Sequence, residues 1–417
     1  MTEAKTHTLD VPGAVLHYDV RSNDASTEPV LLMIGSPMGA EGFGTLAGHF
    51  TDRTVVTYDP RAAGRSVRTD GALVTTPDEH ADDLRRLITA LDAGPVDIFA
   101  SSGGAVNALA LVARHPEQVR TLVAHEPPVS QELPDREAAL AACVDISETY
   151  QHDGFGPAMA KFIALISVAG PLPDDYASRP GPDPAAFGLP AEDDGSRSDP
   201  LLGQNMISCN HYRHDFSALR AAPTRVVIGV GATSGSLLPG RAAVAVAARL
   251  GTAPVTFPGD HGGFLGGEYG QVGEPDAFAA TLREVLAGLS GCGAYLGAGV
   301  SREAAGSLRS SASAETAAPV ATAAATTSRQ ATVNSVPASA IITTRRLPSA
   351  SLATGTWATA TVAAFAISSS PISGALTPIW FRAYGGMSQV KAPQPTAMIA
   401  TLMQARWTKA RSRRTTR

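Results

Sequence analysis

Two apolar rhythms alternate along the first part of the chain. Ala14 to Arg21 alternates apolar and polar positions and predicts an early strand, whereas Val30 to Ile34 is an unbroken apolar run, as expected of a strand covered on both faces. Thr54 to Tyr58 reads the same way. Asp78 to Leu91 places Leu84, Leu87, Ile88 and Leu91 on one face of a helix, with Pro77 near its start. A strand over Val96 to Phe99, a helix over Gly103 to Arg114 and a strand over Thr121 to Ala124 follow. Strands and helices alternating at this spacing predict an α/β fold with a mostly parallel central sheet flanked by helices.

After Pro128 the rhythm changes. Val129 to Ala222 reads as helical, for example over Asp135 to Tyr150 and Gly156 to Ile166, and then as a loop rich in Pro, Gly and Asp from Pro171 to Pro200. Strand and helix patterns resume with Arg225 to Val230, Arg241 to Leu250, Pro254 to Phe257 and Asp276 to Leu289. The expected organisation is a core of residues 1–128 and 223–290, interrupted by a helical cap, residues 129–222, over a pocket.

Composition adds a third segment. The net charge of −5 hides an asymmetry: residues 301–417 carry 13 Lys and Arg against 2 Asp and Glu, while the first 300 carry 20 against 36. Residues 291–417 are dominated by Ala, Ser and Thr without amphipathic periodicity, and read as a low-complexity, basic, disordered tail. Truncation at Leu289 is accordingly expected to spare activity and solubility. Leu347 to Trp380 is uncharged and long enough to span a bilayer, but its Ser, Thr, Gly and Pro content argues against a membrane. The basic end, Arg406 to Arg417, is weak ground for nucleic-acid binding, and none is expected.

Met1 to Asp10 shows no apolar segment after a charged start, so the expected location is the cytoplasm. Cys143, Cys209 and Cys292 are scattered and odd in number, so neither a disulfide framework nor a metal site is expected. No phosphate loop, dinucleotide fingerprint or metal-ligand cluster appears, and no cofactor is required. The expected partner is a small-molecule substrate; the sequence does not fix an oligomeric state.

The chemistry gathers around Ser102. The apolar run Val96-Asp97-Ile98-Phe99-Ala100 stops at Ser101-Ser102-Gly103-Gly104 and gives way at once to a helix-forming stretch. A turn this sharp demands small residues two before and two after the serine, here Ala100 and Gly104. By itself the run also suits a Gly-Ser turn opening any strand-helix unit. Three further segments follow in order: Gly35-Ser36-Pro37 after the third strand, Tyr58-Asp59-Pro60-Arg61 through Ser66 after the fourth, and Gly259-Asp260-His261-Gly262-Gly263-Phe264 after the last.

With these motifs in this order, residues from about 10 to 290 resemble the α/β-hydrolase fold superfamily, as a capped serine hydrolase. The resemblance implies a Ser-His-acid triad, with Ser102 as nucleophile and His261 as base. It implies an oxyanion hole from the backbone N–H groups of Gly103 and Ser36; Pro37 cannot donate. Ile34 stands where the family usually has a histidine, and Met38 either lines the pocket or packs the loop. The usual acid position is empty: Gly231-Ala232-Thr233-Ser234 carries no carboxylate. A second position known in the fold, after the strand following the nucleophile helix, holds Glu126, the expected acid. Asp260 is too close to His261 in sequence to orient it.

His125, His211 and His214 are weaker candidates, and Asp59 and Arg61 read as turn-forming and ion-pairing residues. A serine in place of an aspartate nucleophile argues against alkyl-ester chemistry on epoxides or haloalkanes. The expected activity is cleavage of a carboxylic ester or related acyl bond, with a non-catalytic small-molecule binder as the alternative.

Overall fold

A computed structural model describes residues 3–190 and 192–288. In chain order these form strands β1 (Lys5–Val11), β2 (Ala14–Arg21) and β3 (Leu31–Ile34), helix α1 (Gly44–Gly48), strands β4 (Val55–Asp59) and β5 (Val67–Arg68), and helix α2 (Pro77–Leu91). Next come β6 (Val96–Ser101), α3 (Gly103–Arg114), β7 (Val119–His125), α4 (Arg136–Asp153), α5 (Phe155–Ile166), α6 (Met206–Ser208) and α7 (Phe216–Ala221). The chain then runs through β8 (Arg225–Gly231), α8 (Leu238–Leu250), β9 (Val255–Phe257) and α9 (Pro275–Leu286). The low-complexity segment and the Leu347–Trp380 stretch lie outside the described residues. No helix among the described residues is long and apolar enough to cross a membrane.

The sheet runs β1-β2-β4-β3-β6-β7-β8-β9, with β5 alongside β2. From β4 to β9 every pair is parallel, while β2 lies antiparallel to both β1 and β4. The unbroken apolar runs follow from burial on both faces. Leu32 and Ile34 of β3 join a cluster with Leu84, Leu87 and Ile88 of α2 and with residues of α3 and α8. Leu31 and Met33, pointing the other way, pack with Phe43, Leu46, Phe278 and Leu282, from the α1 and α9 side.

Local signals set the helix ends. Thr76 caps α2 by accepting from the Glu79 N–H while the Glu79 carboxylate accepts from the Thr76 N–H, and Pro77 occupies the first turn, where no N–H is required. Such a cap stabilises a helix by about 1 kcal/mol. Helix α3 starts at Gly103, with only Ser102 between it and the end of β6, and packs its Val106, Leu109 and Leu111 against the sheet and α2.

Between β7 and β8, α4 and α5 build an apolar cluster of their own with Leu201, Leu202 and Met206, into which Leu238 and Ala242 of α8 also pack. Cys209, Phe216 and Leu219 belong instead to the cluster against the sheet. Residues 201–205 form a wide turn, with i to i+5 bonding, that leads into α6.

Candidate active site

The candidate residues gather at the carboxyl edge of the sheet. Ser102 follows the last residue of β6 and precedes α3, with φ 58° and ψ −131°, a region that L residues rarely occupy. The bend is enforced by close packing: a Cβ on Gly104 would lie 2.7 Å from the Ile34 carbonyl oxygen. The Ser102 N–H donates to the His125 carbonyl at 3.0 Å, which ties the elbow to the neighbouring strand. The side chain is thereby presented at the start of a helix rather than buried in the sheet.

Glu126 is the next residue after β7, also at positive φ (47°), with its own N–H donating to Gly229 O at 3.0 Å. Its carboxylate is fully buried and held at both oxygens. Oε2 lies 2.7 Å from His261 Nδ1, and Oε1 accepts the Gly231 N–H at 2.8 Å. His261 comes from the loop after β9, so β8 lies between the strands that carry the pair. Two inter-strand steps amount to about 10 Å, which a glutamate side chain crosses more readily than an aspartate. It crosses over Gly231, where a Cβ would sit 2.7 Å from Asp260 Cα. A carboxylate from the adjacent strand thus reaches both the Gly231 N–H and His261.

Burial works to raise the Glu126 carboxyl, but the hydrogen bond from His261 outweighs it and holds the group at about 2. A buried carboxylate that stays ionised beside Nδ1 fixes the tautomer with Nε2 as the acceptor. Beneath His261 lies His125, fully buried, with its ring 5.3 Å from Phe278, 5.7 Å from Phe257 and 6.0 Å from the His261 ring. Burial drives the His125 imidazole down to about 4, so it is neutral packing material.

On the other side of Ser102, the β3 loop approaches the helix start: a Cβ on Gly103 would lie 2.6 Å from the Ser36 carbonyl oxygen. Gly103 is the first residue of α3, where helix geometry leaves N–H groups without intrahelical partners. The Ser36 hydroxyl accepts from Asn205 Nδ2 at 3.0 Å. Asn205, in the wide turn before α6, has no signature in sequence that would mark it for this place.

Ser36, Ser102, Gly103 and His261 all line one cavity of about 50 Å³, together with Asn205, Asn210 and apolar residues of α4, α5, α6 and α8. Met38 is not among the lining residues; of its two readings, loop packing against the Phe43 cluster is the one observed. His211 and His214 are also outside the lining, His214 packing between Tyr212 and Phe216. Asp59 accepts the Ala40 and Arg65 N–H groups, and Arg61 forms a two-pronged pair with Asp83. Asp260 turns its carboxylate to the Gly262 N–H at 2.9 Å.

A family model described as the α/β-hydrolase fold matches residues 28–181. The uncharacterized hydrolase YraK of Bacillus subtilis (strain 168) is 33% identical over 270 residues, which is 62% of this chain and 89% of that protein. This chain is a hydrolase of the α/β-hydrolase fold family. Among solved structures, it is similar to a thermophilic esterase from Thermogutta terrifontis, at 18% identity and a TM-score of 0.49, over 69% of this chain and 99% of that one. It is also similar to the enol-lactonase from Burkholderia xenovorans LB400, at 15% identity and a TM-score of 0.47, over 67% of this chain and all of that one.

Proposed function

We propose that the chain hydrolyses a carboxylic ester or a related acyl bond through a covalent acyl-enzyme on Ser102. In this reading His261 Nε2 takes the Ser102 proton as the hydroxyl oxygen attacks the carbonyl carbon, and the N–H groups of Ser36 and Gly103 hold the negative oxygen that forms. His261 then gives the proton to the leaving alkoxide as the acyl bond breaks. A water enters, loses its proton to His261 and attacks the acyl carbon, and His261 returns that proton to the Ser102 oxygen as the Oγ–acyl bond breaks and the acid leaves. Glu126 keeps Nδ1 protonated throughout and stabilises the imidazolium. Residues 129–222 act as a cap whose walls sort substrates.

The observation that carries this reading is the carboxylate of Glu126, buried and bound at once to His261 Nδ1 and the Gly231 N–H. It also weakens the case for a binder without turnover, which rested on the missing carboxylate after Gly231. The test is labelling of the full chain by a fluorophosphonate, alongside p-nitrophenyl acetate hydrolysis, in wild type and Ser102→Ala. Labelling and turnover that both vanish in the variant support the proposal. A folded wild type that takes no label sinks it.

A further inference from the structure

The walls of the cavity are largely apolar. Phe162, Leu165, Ile166 and Met206 form much of its surface. These walls are themselves packed from behind, Leu165 being 1% exposed and Met206 2%. Its volume, about 50 Å³, compares with roughly 150 Å³ for a cavity that takes benzene.

Charge is equally restricted. Among the described residues, no Asp, Glu, Lys or Arg lines the cavity. Its two thiols, Cys143 and Cys209, are both pushed up by burial, to about 12, and so are neutral. The polar groups left, besides Ser36, Ser102 and His261, are two carboxamides. Asn205 donates to Ser36, and Asn210 accepts from the Ser130 hydroxyl at 2.6 Å, which leaves its amide N–H groups for a neutral acceptor. A carboxylate or ammonium drawn into this space would lose its water and find no countercharge.

We infer that the acyl group of the substrate is short, about two to four carbons, and uncharged. This rests on the proposed acyl-enzyme. The leaving group must depart to solvent while the acyl group stays bonded to Ser102, so the acyl group is the part that has to fit beneath these walls.

The test measures the rate of Ser102 acylation in the full chain, by the initial burst of p-nitrophenol and by mass, for the acetate, butyrate, octanoate and hemisuccinate esters. Methyl- and octyl-phosphonofluoridates provide a second series that needs no deacylation. Acetate and butyrate should exceed octanoate by about 100-fold, the methyl phosphonofluoridate should exceed the octyl one, and butyrate should exceed hemisuccinate by about 30-fold. Met206→Ala, which removes wall without touching Ser102, should narrow the octanoate gap.

Octanoate or hemisuccinate reacting as fast as butyrate would overturn the inference and leave the acyl-enzyme standing. Rates that follow the size of the alcohol and ignore that of the acyl group would do the same. Failure of every ester and every phosphonofluoridate to modify Ser102 would overturn both.

Discussion

Replacing Glu126 with Gln changes one atom and forces a conflict that can be followed bond by bond. The Gly231 N–H needs an oxygen at the Oε1 position, 2.8 Å away, so the new amide nitrogen would face His261 Nδ1 at the 2.7 Å now spanned by a charge-assisted bond. Two donors then oppose each other. The imidazole can escape by moving its proton to Nε2, but that removes the lone pair needed for the Ser102 proton. Flipping the amide restores an acceptor at Nδ1 and leaves the buried Gly231 N–H unpaired, at about 1–3 kcal/mol. The flipped amide also cannot balance the imidazolium. Either route predicts a loss in kcat/KM of about two to four orders of magnitude, or about 3–5.5 kcal/mol of transition-state stabilisation.

The assay is p-nitrophenyl acetate turnover of Glu126→Gln against wild type at pH 8, with unfolding midpoints to establish that both are folded. The acid limb gives a second readout. The Glu126 carboxyl sits at about 2 when folded against an ordinary 4.5, so its contribution to stability is complete above 4.5 and is lost as pH falls toward 2. That portion of the acid transition should be missing in the variant. A decrease in kcat/KM smaller than threefold in a folded Glu126→Gln would refute the role assigned to the carboxylate.

Three further outcomes follow from positions around the site. Ser102→Gly should be more stable than Ser102→Ala by about 1 kcal/mol in urea unfolding, because φ 58° suits glycine and strains alanine; equal midpoints would contradict strain at the elbow. Arg61→Ala strands the buried Asp83 carboxylate, now held by two bonds of 2.9 and 2.6 Å, and should cost about 3–5 kcal/mol in the same assay. His125 is kept neutral when folded, with its imidazole at about 4, but takes a proton near 6.5 when unfolded, so it removes stability as pH falls from 6.5 toward 4. His125→Phe should therefore lose about 2 kcal/mol less than wild type between pH 7 and 4.5, and an unchanged pH dependence would show that His125 does not drive it.

Much of the architecture is written locally. The Gly103–Arg114 helix is observed at the ends its sequence predicts, and the apolar runs of β3, β4 and β6 lie within a residue or two of their predicted ends. Both follow from near-neighbour chemistry: glycines that permit the sharp turn, and β-rich apolar stretches that need burial on two faces. Strand β1 has no such signal. Only Leu9 and Val11 are apolar in Lys5–Val11, and it is held by pairing with Ala14 to Val20 of β2, a contact no local pattern encodes. The two-residue β5 likewise exists only because β2 is there to receive it.

The sequence by itself determined the order of the central strands and their helices, the bend at Ser102 and the histidine loop after the last strand, because each depends on residues adjacent in the chain. It offered Glu126 as a carboxylate, but only the tertiary structure decided what that carboxylate touches. The contact depends on β8 lying between β7 and β9, on Gly231 leaving space, and on a positive φ that turns Glu126 toward His261. The place of Asn205 against Ser36, 169 residues away in the chain, was decided in the same way, as was the size of the cavity. Distances between segments so far apart are set by packing, and packing is a property of the folded chain as a whole.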